Sequence, residues 1–343
     1  MTRRLELPRA VLRACRELVR GALTYQRTRV TPPEAYQALI QLHCLTGGRS
    51  NDLLHAIVRA RHPRRALTRE DGVLRQGDVD ACAEQLRRVG WCRLPSLLPA
   101  ELCDALEELA LEGSCRERRQ LPLRPGETSA PPGRFPRGRA RGVRYDFDVS
   151  TLVQHPAVQR LMADPGLLAL GSAYLDCEPV LDLVAMWWTA AASTPDSEAA
   201  QLFHFDMDRI KWLKVFVYLT DVDADRGPHV FVAGSHRAGG VPRALLRRGY
   251  ARLSDEEVLD HFDPADVIRV EGPRGTMFAA DTRGLHKGDV VRRGDRLVFQ
   301  MEYADSLFGG AVSAAKVAAP LDPGFAALAR LRPRVLRCFL EGR

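Results

Sequence analysis

The chain has 343 residues, enough for one large domain or two ordinary ones around a sizeable buried core. Its 45% hydrophobic and 27% charged residues exclude a wholly disordered chain, and no apolar run approaches the ~20 residues that span a bilayer. The formal charge of +7 admits an acidic small molecule, an anionic surface or nucleic acid as partner and selects none of them, because the cations are nearly all arginine, a bias that a GC-rich genome alone produces.

In chain order, "MTRRLELPRAVLRACRELVRGAL" is Arg-rich but carries Glu6 and Glu17 and has no uninterrupted apolar core, so it reads as folded protein rather than a targeting signal. Val11, Leu12, Cys15, Leu18, Val19, Ala22 and Leu23 recur at helical spacing. A second helix is expected at "TPPE", where Thr31 and Glu34 have capping-box spacing, ending at Gly47 and Gly48; a third starts near Ser50 or Asn51. Residues 1–75 are therefore expected to form a helical appendage whose apolar stripes pack on a main domain over residues 76–343.

From Asp78 the pattern predicts a helix, the short strand "WCRLPSL", and a helix opened by Pro99 and closed by Gly113. Residues 115–144 are dense in Arg, Pro and Gly and predict a long mobile loop, either a lid or an insert. Its "GRFPRGRARG" also permits nucleic-acid binding, with Phe135 as the one aromatic for stacking. Helical periodicity returns over 150–175. Then "PVLDLVAMWW", "AQLFHFDMD", "WLKVFVYLTDV", "HVFVAGSH", "DVIRVEG", "TMFAAD" and "LVFQMEYA" read as short strands, interrupted by a helix near 243–262. Successive short strands predict a jelly roll or barrel, mainly β with flanking helices.

Within "QLFHFDMDRIKW", His204 and Asp206 stand two apart, so an extended backbone turns both to one face. His286 in the Gly-flanked "DTRGLHKGD" follows a predicted strand and would complete two imidazoles and a carboxylate, the facial set of non-haem Fe(II) oxygenases. Each residue alone is an ordinary hydrogen-bonding group; the conjunction carries the signal. Ten residues on, Arg296 enters "RLVFQMEY", where an inward guanidinium could grip a carboxylate in two-pronged fashion, whereas Arg292 and Arg293 fall in the turn and are expected in solvent. The eight cysteines form no C-x-x-C pair, so neither a zinc knuckle nor a disulfide framework is indicated and a reducing, cytoplasmic setting is expected.

Over roughly residues 78–308 the chain resembles the phytanoyl-CoA dioxygenase-like Fe(II)/2-oxoglutarate-dependent oxygenases. The resemblance rests on "LRRVGWCRLPSLLPAEL", "HPAVQRLMADPGLLALGSAYL", "HFDMD", "VFVYLTDVD", "GPHVFVAGSHR" and "GLHKGD" followed by "RLVFQMEY", in that order. It implies a double-stranded β-helix (jelly roll, cupin-like), iron held by His204, Asp206 and His286, and the distal carboxylate of 2-oxoglutarate held by Arg296. It further implies use of O2 with release of succinate and CO2, and hydroxylation as the usual outcome. A carboxylate at Asp206 argues against halogenation, since halogenating relatives have a small residue there. His236 in "GSHR" is expected to be structural or near the substrate rather than a metal ligand, Asp208 either touches a ligand or faces solvent, and Trp187, Trp188, Trp212 and Lys214 line a pocket or the core; His229 stands where the family usually has an apolar residue. The substrate is expected to be a small molecule, and the basic loop suits an acidic or phosphorylated one. The alternatives are a nucleic-acid-directed oxygenase or binding protein that uses the basic loop, and a metal-binding jelly roll without turnover.

Overall fold

The structure is a computed structural model that describes residues 3–65, 72–118, 131–312 and 315–340. In chain order the helices α1 (Arg3–Thr28), α2 (Pro33–Thr46), α3 (Arg49–Arg61) and α4 (Gln76–Val89) lead to β1 (Trp91–Leu97), α5 (Ala100–Glu112), β2 (Cys115–Glu117) and β3 (Arg144–Phe147). Next come α6 (Val149–Leu152), α7 (Pro156–Met162), α8 (Pro165–Leu175), β4 (Val180–Ala190), β5 (Trp212–Tyr218), β6 (His229–Val232), α9 (Arg243–Leu246) and α10 (Asp255–Leu259). The chain continues through β7 (Val267–Val270), β8 (Thr276–Ala280), β9 (His286–Gly288), β10 (Asp295–Ala304), α11 (Pro323–Leu331) and α12 (Pro333–Leu336).

The strands form two antiparallel sheets, ordered β1-β8-β5-β10-β4-β3-β2 and β7-β6-β9, which make the expected jelly roll. Strict alternation decides what each face does. On β10, Leu297, Phe299, Met301 and Tyr303 join a large core with the helices α4, α5, α7 and α8, and Leu213, Val215 and Val217 of β5 do the same. The intervening residues turn inward. Between the sheets lies a smaller core of Trp187, Phe216, Tyr218, Phe231, Phe278 and Val298, and the polar residues of the site share that interior.

The N-terminal helices cover the outside of the smaller sheet. Ala14, Leu18, Ala38, Leu39 and Leu42 form one cluster with Val230 and Val232 of β6 and with Phe203, Phe205, Met207 and Ile210. The segment bearing His204 and Asp206 is therefore clamped between the sheets and these helices. No described helix is long and apolar enough to cross a membrane.

Several local expectations are corrected. "AQLFHFDMD" is extended at its centre but pairs through isolated bridges, at Phe203 with Leu253 and at His204 with His286, and is no regular strand. Thr31 makes no capping box: Pro32 is the N-cap of α2, and the Thr31 hydroxyl accepts from the Gly309 amide at 3.0 Å. The helix expected near 243–262 is two short pieces, α9 and α10. The 115–144 stretch has ordered ends, since Cys115–Glu117 pairs with Arg144–Phe147, and Phe135 is buried with its ring stacked on Trp188 at 4.9 Å. Phe135 thus offers no face to a nucleotide base. The middle of the stretch, 119–130, lies outside the described residues.

Candidate metal centre and cavity

The extended segment around His204 is tied to the start of β9 by a reciprocal pair of backbone bonds: His204 N–H donates to the His286 carbonyl at 3.0 Å and His286 N–H returns to His204 at 2.8 Å. A further bond, Asp206 N–H to the Thr282 carbonyl at 2.7 Å, fixes the residue two positions on. Opposite partners in such a pair project side chains to one face. The two imidazoles accordingly stand 4.3 Å apart, centroid to centroid, and potential ligand atoms of His204, Asp206 and His286 all lie within 4.8 Å of one another.

Hydrogen bonding sets the tautomers. His204 Nδ1 donates to the Leu202 carbonyl at 2.9 Å and His286 Nδ1 to the Gly284 carbonyl at 3.0 Å. A carbonyl can only accept, so Nδ1 carries a proton in each ring and Nε2 is the nitrogen left to bind a metal. Those Nε2 atoms face Asp206, at 3.7 Å from Oδ1 for His204 and 3.4 Å from Oδ2 for His286. Burial, reinforced by the neighbouring His286, pulls His204 down to about 3, which keeps its imidazole neutral. Burial alone would raise Asp206, but Lys214 and the two histidines outweigh it and hold the carboxyl well below the usual range. Two imidazole nitrogens and one ionised carboxylate make a donor set suited to a divalent transition metal.

Behind the triad lies a buried charge cluster that sequence reading had not assembled. Lys214 donates to Asp206 Oδ2 at 2.6 Å and pairs with Asp208 at 2.8 Å and Glu302 at 3.5 Å. Arg209 donates to Asp182 Oδ2 at 2.6 Å and also binds the Gly310 carbonyl at 2.7 Å. The register between β10 and β4 slips between Glu302 and Tyr303, leaving Asp182 as the extra residue of a bulge that turns its carboxylate inward. Four carboxylates therefore face two cations. Burial and then the like charges of Asp182 and Asp208 push Glu302 well up, and burial pushes Asp182 up to about 6. A divalent cation at the triad would offset that negative excess.

Arg296 lies where the alternation of β10 places it, inside the roll and 2% exposed. Its Nη2 donates weakly to Thr189 Oγ1 at 3.4 Å, while Nε and Nη1 have no hydrogen-bond partner. Beside it stands Gly288, where a Cβ would come within 3.2 Å of Nη2. A fully buried guanidinium with idle donors is costly unless an anion completes it. Arg292 and Arg293 are exposed, as expected for the turn.

The remaining singled-out residues divide cleanly. His236 is structural: its Nε2 lies 3.3 Å from the Arg87 carbonyl, and Gly90, at φ +87, is needed because a Cβ there would meet its ring at 2.5 Å. His229 has a role that the sequence did not explain. The Tyr218 hydroxyl gives its single proton to the Val270 carbonyl at 2.9 Å, so it accepts from His229 N–H at 2.9 Å and from Nδ1 at 3.1 Å, and His229 braces β6 against β5. Trp187 lies in the interior, Trp188 in the outer core, and the Trp212 indole donates to Thr282 Oγ1 at 2.8 Å. All of the triad, with Lys214, His229 and Trp187, lines one cavity of about 530 Å³, to which α2 contributes Tyr36 and β3 contributes Arg144.

No protein-family model matches the chain, and no curated protein matches it. Among solved structures, the chain is similar to the non-heme alpha ketoglutarate dependent epimerase SnoN from nogalamycin biosynthesis, at 19% identity over 67% of this chain and 84% of that one, with a TM-score of 0.44. It is also similar to HygX from Streptomyces hygroscopicus, solved with nickel and 2-oxoglutarate bound, at 18% identity over 69% and 89% with a TM-score of 0.45. A third is EctD from S. alaskensis with 2-oxoglutarate and 5-hydroxyectoine, at 17% identity over 70% and 79% with a TM-score of 0.44.

Proposed function

We propose that the protein is a non-haem Fe(II)- and 2-oxoglutarate-dependent dioxygenase that oxidises, most simply hydroxylates, a small molecule. The observation that carries this reading is the convergence of the His204 and His286 imidazoles and the Asp206 carboxylate on one point of a cavity whose wall includes Gly288, the neighbour of the idle Arg296 guanidinium. Iron at the triad would supply open positions for cosubstrate and O2 and the redox change that couples decarboxylation of 2-oxoglutarate to substrate oxidation.

The chain's own residues do the rest. The Leu202 and Gly284 carbonyls hold both imidazoles in the ligand tautomer, as outer hydrogen bonds do in metal sites generally. Lys214 keeps Asp206 ionised and fixes its orientation. Arg296 offers a buried fork for the distal carboxylate of 2-oxoglutarate, with Gly288 leaving room beside it. Trp187, Phe216 and Phe231 surround this interior with apolar surface and limit water. At about 530 Å³ the cavity is of the size that holds small ligands.

The test is succinate formation from 2-oxoglutarate by Fe(II)-loaded protein exposed to O2. Wild type is expected to turn over, slowly without substrate, and His204→Ala and Arg296→Ala to lose the activity. Succinate at wild-type rates from His204→Ala would refute the reading.

A further inference from the structure

The cavity lined by the triad also holds a guanidinium that neither the triad nor Arg296 uses. In the register of the large sheet, Arg144 of β3 lies opposite Thr189 of β4, and Thr189 lies opposite Arg296 of β10, so the three side chains form a row on the inner face. Arg144 lies over the Trp187 ring, 4.2 Å from guanidinium carbon to ring centroid, and its Nε donates to Asp146 Oδ1 at 2.9 Å. Among the described residues its Nη1 and Nη2 have no hydrogen-bond partner, and the residue lines the cavity. Asp146 also accepts from Arg118 Nε at 2.7 Å, so one carboxylate is shared between two arginines. Arg252, which is exposed, adds a further cation to the same wall.

Exposure grades Arg296, Arg144 and Arg118 by depth. Arg296 is 2% exposed, the Arg144 side chain 13% and that of Arg118 44%. The innermost is suited to the cosubstrate, and the outermost belongs to the mouth. Stacking on an indole and one carboxylate contact hold the Arg144 plane rigid while leaving its two-pronged edge free, which is the arrangement that grips an oxyanion.

We infer that Arg144, held on Trp187, anchors a carboxylate or phosphate group of the substrate. The inference rests on the oxygenase reading and gives it a substrate class. An acidic substrate would enter past Arg118 and seat its anion on Arg144.

The experiment uses the full chain loaded with Fe(II) and saturated with 2-oxoglutarate under anaerobic conditions, so that the cosubstrate site is filled and visible by its absorbance. Calorimetric titrations with phenylacetate, phenyl phosphate and the neutral benzyl alcohol then compare wild type, Arg144→Met and Arg144→Lys. At least one anion is expected to bind wild type, with benzyl alcohol much weaker, and Arg144→Met is expected to lose about tenfold or more in affinity, the usual loss for a charge-assisted contact. Arg144→Lys should retain part of it. Which anion binds better tells a carboxylate from a phosphate substrate. Binding of neither anion to wild type, equal binding of benzyl alcohol, or unchanged anion binding by Arg144→Met would overturn the inference. So would loss of the cosubstrate absorbance in Arg144→Met alone, which would move Arg144 into the cosubstrate site. Absence of that absorbance in wild type would instead refute the oxygenase reading itself.

Discussion

Arg296 carries a charge into the interior of the roll with two of its donor atoms unanswered. Such a group is held at a cost to the fold, because desolvation of an unpaired ion exceeds what surrounding dipoles return. Two consequences follow at this scale. Arg296→Met, which keeps the stem and removes the charge, is expected to stabilise the ligand-free protein by about 1–4 kcal/mol, read as a raised melting temperature. In the same variant the stabilisation that 2-oxoglutarate gives to wild type in the presence of Fe(II) should vanish, since a ligand stabilises only the state that binds it. A variant less stable than wild type would mean that the guanidinium is satisfied within the fold and is not waiting for a ligand.

At the level of elements, the metal segment depends on helices far from it in sequence. Asn51 of α3 is fully buried; its Nδ2 donates to the Ile210 carbonyl at 3.0 Å and its Oδ1 lies 3.3 Å from His43 Nδ1. Asn51→Ala orphans both partners and is expected to cost about 1–3 kcal/mol in stability, measured by denaturant unfolding. Because Ile210 follows Asp206 by four residues, Fe(II) affinity should weaken as well. Retained stability would show that α3 only drapes over the core.

This dependence also marks what the sequence could and could not tell. Alternation along "RLVFQMEYA" placed Arg296 inward, and the two-residue spacing of His204 and Asp206 put both on one face, because those relations are local. Lys214, Glu302 and Asp182 meet through cross-strand register and a bulge, and Tyr36 reaches the cavity from the N-terminal helices, outside the stretch of family resemblance; neither relation has a local signal. Within and just after the 115–144 stretch, composition hid two features for the same reason. Phe135 looked like a lone aromatic in a polar stretch, and its partner Trp188 lies 53 positions away. The alternation "VRYDF" that makes β3 was hidden among arginines.

For the whole molecule, the interior holds His43 in neutral form, and that makes the fold sensitive to acid. Burial, helped by the charge of Arg283, pulls His43 down to about 4. A histidine depressed in the folded state stabilises it above the unfolded value of about 6.5 and loses that contribution as pH falls from there through about 4. Stability should therefore decline across that window by up to about 3 kcal/mol from His43 alone. His43→Phe, which keeps a ring against Phe205, should show a shallower decline in unfolding free energy between pH 7 and pH 4. An identical slope in both proteins would place the acid sensitivity elsewhere.

The central claim is that His204, Asp206 and His286 hold iron beside a 2-oxoglutarate site built on Arg296. The most direct test is anaerobic titration of Fe(II)-loaded protein with 2-oxoglutarate, following the metal-to-ligand charge-transfer band in visible absorbance. Wild type should develop the band with saturation, His204→Ala should show none, and Arg296→Ala should need at least about tenfold more 2-oxoglutarate to reach it. A wild-type protein that binds Fe(II) without developing the band, or an Arg296→Ala titration that overlays wild type, would contradict the account.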